Sequence, residues 1–457
     1  MKIGIISVAL CAVCLSQSLF SPLSAQELQP HASEPAAGVC WSLSDCISYA
    51  QRNNIEVQQH GLKIEQNDVS LSTARLSRLP DLNASLGYNA SFGRGTSADN
   101  TYKTETLHSG SLDVSSSLPV FQGFRINRQI KGVKLDLAAA VQDMERVRED
   151  VAVNVMTLYL QVLYNKELVG IAERQLELST LQATRSRELV AAGKQPESAI
   201  YEGDALRAND ELTLTQARNN QQSALLDLSQ ALNRESASGF DVVAPDFGAL
   251  LDAVLNDPYA ACDDIYAYAV ENRPHVKAEQ LRLQSSENAV RIARSALYPT
   301  ISLRGGYGTG VYSSLDENFW PQFRKNSSEF VGVSMGIPIF NRRATRNNIR
   351  AAQISTRTQQ LAVLNTEQTL RKQIEQASYN AHAADAKYRS ATSATASAQV
   401  AFGYEQQRSA AGRSTIFDFN DAKTRLEKAE AELAQSKYEL IFRRKILDYY
   451  RGESLSF

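Results

Sequence analysis

Leu82-Asn83-Ala84-Ser85-Leu86-Gly87-Tyr88-Asn89-Ala90-Ser91-Phe92 alternates without a fault, apolar at every even position and small or polar at every odd one. A period of two sends successive side chains to opposite faces of a strand. The odd face carries no charge, which suits a water-filled interior better than the outer surface of a soluble sheet. The same pattern returns in Leu112, Val114, Leu118 and Val120 against Asp113, Ser115 and Ser117. It returns again in Ile301, Leu303, Tyr307 and Val311, and once more in Val331, Val333, Met335, Ile337 and Ile339. Strands are therefore predicted over residues 82–92, 111–120, 300–312 and 328–340, joined in pairs by polar loops. Each is close to the length that a tilted strand needs to cross a bilayer. Phe319 and Trp320, beside the fourth strand, suit the headgroup level.

Each pair of strands runs into a very long helix. Residues 121–193 contain no proline, and Ile130, Val133, Leu137, Ala140, Met144, Val147 and Val151 fall at alternating steps of three and four. That is a heptad-type seam, on a helix predicted over 121–193. At 1.5 Å per residue it would extend roughly 105 Å, the scale of a fibre or of a structure crossing a compartment. The counterpart over 341–411 has a seam of smaller residues, Ile374, Ala377, Ala381, Ala384, Tyr388 and Ala391.

The chain reads as one unit written twice. Pro80 matches Pro299, Leu118-Pro119-Val120-Phe121 matches Ile337-Pro338-Ile339-Phe340, and Ala191-Ala192-Gly193-Lys194 matches Ala410-Ala411-Gly412-Arg413. The offset is constant, since 299 − 80 and 412 − 193 both give 219. Chance similarity between helical stretches would drift in register. Repeat one covers 41–233, with a first helix over 43–79 and a return helix over 196–233. Repeat two covers 264–452, with a first helix over 264–298 and a return helix over 415–451. Gly239, Pro245, Gly248 and Pro258 interrupt the linker at 234–263.

Residues 1–25 read as a secretory signal, with Lys2, an apolar run, and Leu23-Ser24-Ala25 before the cut. Residues 26–40 read as a flexible lead. Cys40, Cys46 and Cys262 follow the signal. A Cys40–Cys46 bridge requires Cys40 to lie before the helix, because six residues of helical rise separate them by about 9 Å. Small buried thiols are the other reading.

Four strands cannot close a barrel, and lipid does not tolerate an open sheet edge. Several chains must contribute. Two would give eight strands, whose interior fills with side chains, whereas three give twelve and leave an aqueous lumen. The expected fold is a membrane β-barrel continued by a long α-helical coiled-coil barrel. It would have four strands per chain and twelve in a ring closed by a homotrimer.

The ordered set of a duplicated layout, proline-bounded hairpins and paired Ala-Ala-Gly turns resembles the TolC-like family of trimeric outer-membrane efflux ducts. Leu43-Ser44-Asp45-Cys46-Ile47-Ser48-Tyr49-Ala50 is also similar to that family's opening helix. The resemblance covers residues 41–452. It implies a barrel in the outer-membrane lipid of a Gram-negative bacterium, a periplasmic helical tunnel, a periplasmic adaptor at the tips and an inner-membrane transporter behind it. By position it places the adaptor at Ala192, Gly193, Lys194, Ala411, Gly412 and Arg413. It also makes Asp418 and Asp421 a candidate gate ring. Ala199 stands where some relatives carry an aspartate, and Ser414 where they carry an arginine. That ion-pair latch is missing here, which leaves closure to other contacts such as Tyr201, Glu202 or Arg413.

A net charge of −2 argues against a nucleic-acid binder. His31, His60, His108, His275 and His382 show no metal-ligand spacing, and no nucleophile–base set emerges. The glycines of Gly305-Gly306-Tyr307-Gly308-Thr309-Gly310 precede no helix and fit a strand with a small lumen face. Neither an enzyme nor a cofactor or metal is expected. The reading of another class, a secreted coiled-coil structural or adhesive protein, explains the heptads but not the paired hairpins. The cargo is not legible.

Overall fold

The structure, a computed structural model, describes residues 40–453 and 455, apart from 97–100, 235, 237, 246, 257–258, 314–317 and 412. The signal at 1–25 and the lead at 26–39 lie outside the described residues. Strand β1 (Cys40–Trp41) precedes α1 (Leu43–Asn53) and α2 (Ile55–Leu76), then β2 (Asn83–Thr96), β3 (Tyr102–Gln122), α3 (Arg125–Ala191) and α4 (Ser198–Ala231). Next come β4 (Asp241–Val242), α5 (Phe247–Asn256), α6 (Cys262–Asn272), α7 (Pro274–Ser295) and β5 (Thr300–Tyr312). The last elements are α8 (Phe319–Lys325), β6 (Ser328–Gly336), α9 (Ala344–Ala410) and α10 (Ile416–Arg451).

The sheet runs β2-β3-β5-β6, antiparallel throughout. Its register sorts the two faces. Leu86 stands opposite Leu112, which stands opposite Thr309; Leu118, Leu303 and Val333 form another row. On this face Leu86 is 71% and Val333 72% exposed. The other face carries rows such as Ser85, Asp113 and Gly308. Phe330 departs from that small, polar pattern: its ring lies over Gly306, where a Cβ would meet it at 2.6 Å.

Below the sheet, α2, α3, α7 and α9 pack side by side in that order, matching the strands above them. Further down, α4 packs on α3, α10 on both α3 and α9. The seam residues Ile130, Ala140, Val147 and Val151 are buried, as are Ile374, Ala377, Ala381 and Ala384. Between the two levels, β1 pairs in parallel with β4. Trp41, Phe240, Tyr159, Met156 and Leu228 pack into one core there, and the Tyr159 hydroxyl donates to the Val243 carbonyl (2.5 Å).

Several boundaries differ from expectation. The helix expected from 121 begins at Arg125, because Phe121 still pairs with Ile301 in the sheet and Gly123 and Phe124 turn with φ of 61° and 63°. The helix expected over 43–79 is cut at Asn54, whose side chain caps α2 by accepting from the Glu56 amide (2.9 Å). The helix expected over 264–298 is cut at Arg273, held extended ahead of Pro274. In both cases the apolar seam runs on through the break, so periodicity alone hides it. The strand expected over 328–340 ends at Gly336, and the helix expected from 341 begins at Ala344.

The loop expected over 313–327 contains α8, and the linker at 234–263 contains β4 and α5. α8 has a clear physical role. Pairing of β5 with β6 stops at Gly308, leaving the next rungs of β5 open. Gln322 accepts from the Tyr312 amide (2.8 Å), and Asn326 donates to the Gly310 carbonyl (2.7 Å). Two side chains thus replace the missing ladder partners. Cys40, the last residue of the expected lead, lies in β1, and Cys40, Cys46 and Cys262 are free thiols. Burial pushes the Cys46 thiol up to about 12.

Candidate docking tips and entrance gate

α3 ends in a two-bond reversal. The Gly193 amide donates to the Val190 carbonyl (2.9 Å) and the Lys194 amide to the Leu189 carbonyl (2.9 Å). This is the Schellman pattern, which needs a left-handed residue at its centre. Gly193 supplies it with φ 68°. At the second turn the Arg413 amide donates to the Arg408 carbonyl (2.9 Å), the same six-residue closure; Gly412 lies outside the described residues. Ala192, Gly193, Lys194, Ala411 and Arg413 are all exposed. Nothing lies within 4 Å of a Cβ built at Gly193. The tip is therefore open to another backbone.

The two tips are tied together. The Arg185 guanidinium donates to the Ala410 carbonyl at the end of α9 (2.6 Å). Within the first hairpin, Arg187 pairs with Asp204 (2.5 Å), and Gly203 lets α4 approach until a Cβ there would stand 3.1 Å from the Ala183 Cα. Ala199 is buried, whereas Tyr201 and Glu202 are exposed. Ser414, the other residue of the missing latch, hydrogen-bonds Glu405, which pairs with Arg408 (2.9 Å). The Arg408 guanidinium in turn donates to the Arg413 carbonyl (3.4 Å).

Within one chain the two candidate gate carboxylates do not converge. The Thr415 hydroxyl donates to Asp418 (2.8 Å) and accepts from the Asp418 amide (3.1 Å), so Asp418 helps cap α10. Asp421 pairs with Arg425 one turn on (2.8 Å). Both carboxylates are exposed.

The most deeply buried ion pair near the tips was not read from the sequence. Lys423 on α10 pairs with Asp210 on α4, with side chains 2% and 8% exposed. It joins the two return helices about 10 Å along α10 from its first residue, Ile416, from seven residues of helical rise. Its signal was a charge in an apolar seam: Lys423 falls between the buried Phe419 and Leu426, and Asp210 between the buried Gly203 and Leu214. Burial raises the nearby Glu427 carboxyl above its ordinary 4.5; Lys423 opposes the rise, and Asp210 and Glu430 add to it. The folded chain thus prefers Glu427 protonated. That contribution to stability is full below the unfolded value and is lost as pH rises through the folded one. Glu427→Gln is expected to raise the melting temperature by about 1–3 °C near pH 7.5 and to change little near pH 4. Thermal melts at the two pH values check it.

A second missed contact lies higher up. Arg273 pairs with Glu149 (3.0 Å) and lies 3.6 Å over the Tyr449 ring, while the Tyr449 hydroxyl donates to Glu149 (2.9 Å). It links α3, the α6–α7 break and α10. Among the described residues no group of three His, Cys, Asp or Glu side chains is placed to hold a metal ion. No described helix is long and apolar enough to cross a membrane, which bears on helices alone.

The profile of the family described as outer membrane efflux protein matches residues 46–234 and 265–447. The chain is 20% identical over 405 residues to the outer membrane efflux protein BepC of Brucella suis, covering 89% of this chain and 84% of the relative. It is 23% identical over 403 residues to the proteases secretion protein PrtF of Dickeya chrysanthemi, covering 87% and 85%. In three dimensions it is similar to the open state of the MtrE outer membrane channel of Neisseria gonorrhoeae. The TM-score is 0.72 at 18% identity, over 94% of this chain and 95% of that one.

Proposed function

Because the chain belongs to the outer membrane efflux protein family, we propose that three copies close into a single duct that a periplasmic adaptor docks and an inner-membrane transporter drives. The protein is a channel of the Gram-negative outer membrane serving efflux or secretion. The trimer, the twelve-stranded ring and the partners are the further step.

One observation carries it: sheet and helical layer end at the same two margins, and both margins are unfinished. Among the described residues β2 and β6 each lack a neighbour on one side. Directly below, α2 exposes Ile55, Leu62, Val69 and Leu76, and α9 exposes Ile354 and Leu361, all at seven-residue spacing. An apolar stripe at heptad spacing is one half of a coiled-coil seam. The β2/α2 margin of one chain fits the β6/α9 margin of the next, a head-to-tail contact that must close into a ring. Three chains leave a lumen; two would fill it. The constant offset between halves, with α3 and α9 both 67 residues long, supports a duplication. It would make six near-equivalent hairpins around the ring. A secreted fibre gives no place to a sheet whose outer face is apolar.

Ala192, Gly193 and Lys194, with Ala411, Gly412 and Arg413, are the proposed adaptor-docking tips. Asp418 and Asp421 from three chains form the proposed acidic ring at the entrance. The test uses Lys194→Cys in a Cys40→Ser/Cys262→Ser background. Unboiled outer-membrane extract is expected to run at about three times the boiled mass, and a cysteine-reactive photo-crosslinker is expected to capture one periplasmic protein. A detergent-independent monomer overturns the duct; a trimer without any adduct overturns docking at the tips.

A further inference from the structure

We propose that arginines just below the barrel form a collar that binds anionic phospholipid headgroups of the periplasmic leaflet, an inference resting on the membrane placement above. The chain passes between sheet and helices four times, and the order of residues is the same each time. Arg75 and Arg78 precede Leu79 and Leu82; Arg294 precedes Leu297 and Ile301. In the opposite direction, Val120 and Phe121 give way to Arg125 and Arg128, and Ile339 and Phe340 to Arg342, Arg343, Arg346 and Arg350. Within these four stretches of sequence the one acid is Asp81, and its carboxylate is occupied by the Ser117 amide (2.6 Å) and the Asn83 side chain (3.2 Å).

The last crossing is the clearest. Ile339 is 94% and Phe340 82% exposed. Val331, Val333 and Met335 on β6 are continued by the exposed Ile337 and Ile339 beyond its end at Gly336, so the apolar stripe runs to the lower edge of the sheet. Arg342 begins three residues later. The chain thus leaves hydrocarbon where a phosphate layer lies. Arg343 stands at the N-cap of α9, Arg346 and Arg350 follow one turn apart on the helix, and all three are exposed. Within the single chain, among the described residues, Arg294, Arg342, Arg343, Arg346 and Arg350 have no carboxylate partner, although arginines elsewhere on the helices pair repeatedly. A cluster of guanidiniums with no acid of its own is complementary to an external anion, and the guanidinium fork matches phosphate.

Backbone geometry adds an independent reason. Arg342 and Arg343 have φ of 53° and 63°, the left-handed region that side chains rarely adopt. The matching residues of the first half are Gly123 and Phe124, at 61° and 63°. Phe124 packs edge-on against Phe121 (5.4 Å between ring centres), whose row in the sheet includes Ile301 and Met335 on the outward face. The second position of this turn therefore points outward, and in the second half it holds an arginine. Arg125 and Arg304, by contrast, line the concavity of about 950 Å³ beneath the sheet and are not assigned to the collar.

The test reconstitutes the full-length trimer in vesicles of equal phosphatidylglycerol and phosphatidylcholine. The trimer is then re-extracted and the retained lipid quantified. Phosphatidylglycerol is expected to be retained about fivefold over phosphatidylcholine, a preference that weakens at high salt. Arg342→Gln/Arg343→Gln/Arg346→Gln/Arg350→Gln should lower the ratio towards one, and the four-lysine variant should keep most of it. Equal retention of both lipids by the unaltered protein overturns the collar, as does an undiminished ratio in the glutamine variant. Stabilisation of the detergent-solubilised trimer by inorganic phosphate alone, as large as that by phosphatidylglycerol, would mark a small-anion site and also overturn it. The heat-sensitive trimer band is read separately on outer-membrane fractions of cells making the unaltered protein. Its absence from outer membranes would refute the membrane placement itself, whereas its presence with no lipid preference refutes the collar alone.

Discussion

Leu86→Arg should remove most of the protein from the outer membrane, while Ser85→Arg, one residue away, should leave it there. The two side chains point to opposite faces of β2. Leu86 shares its face with Leu112 on the next strand and with Val333 three strands away, and it is 71% exposed in the single chain. The apolar stripe read from the sequence runs from Leu82 to Phe92, four residues before Leu86 and six after it, so Leu86 lies near its middle. A cationic side chain on the lipid face costs about 2–4 kcal/mol at the bilayer midplane. In the proposed ring of three chains that cost is incurred three times over. Ser85 stands opposite Asp113 on the small, polar face, where an arginine would meet water and a carboxylate. Recovery of the heat-sensitive oligomer from outer-membrane fractions measures both. Equal loss in the two variants would mean that the faces are not lipid and water, and the duct would fall with that assignment.

The contrast between these neighbours also explains which parts of the fold were legible. A strand between lipid and water must sort its side chains by face at every residue, so the pattern over Thr300–Tyr312 could be read end to end. The long helices were legible because a seam must recur every three or four residues to stay buried. The breaks at Asn54 and Arg273 leave that seam intact and were hidden, since only local caps and one proline mark them. α8 was hidden because seven residues are too few for periodicity, and its reason for existing is the unpaired end of β5. At the tips, Gly193 was legible because a left-handed helix end restricts the residue strongly. The partner of Lys423 was not, because Asp210 lies 213 residues away and only the packed hairpins bring the two together.

Lys423→Met should destabilise the lower helices by about 3–5 kcal/mol, the range expected when one member of a buried ion pair is removed. The cost arises less from the lost attraction than from what is left behind. The Asp210 side chain would be left without its cation in a site that is 8% exposed. Asp210→Leu combined with Lys423→Met should recover most of the stability, since apolar residues of similar volume often replace such a pair at little cost. A double-mutant cycle on the melting transition would give the coupling directly. The variant should also be cut more readily by protease around the exposed Arg413, because α10 would lose its charged anchor to α4 while its neighbours Phe419 and Leu426 still pack. If the single and double variants prove equally unstable, the pair contributes through side-chain volume rather than charge. In that case the charges in the seam would need another explanation, with specificity of hairpin pairing the natural one, as buried polar residues set register in coiled coils.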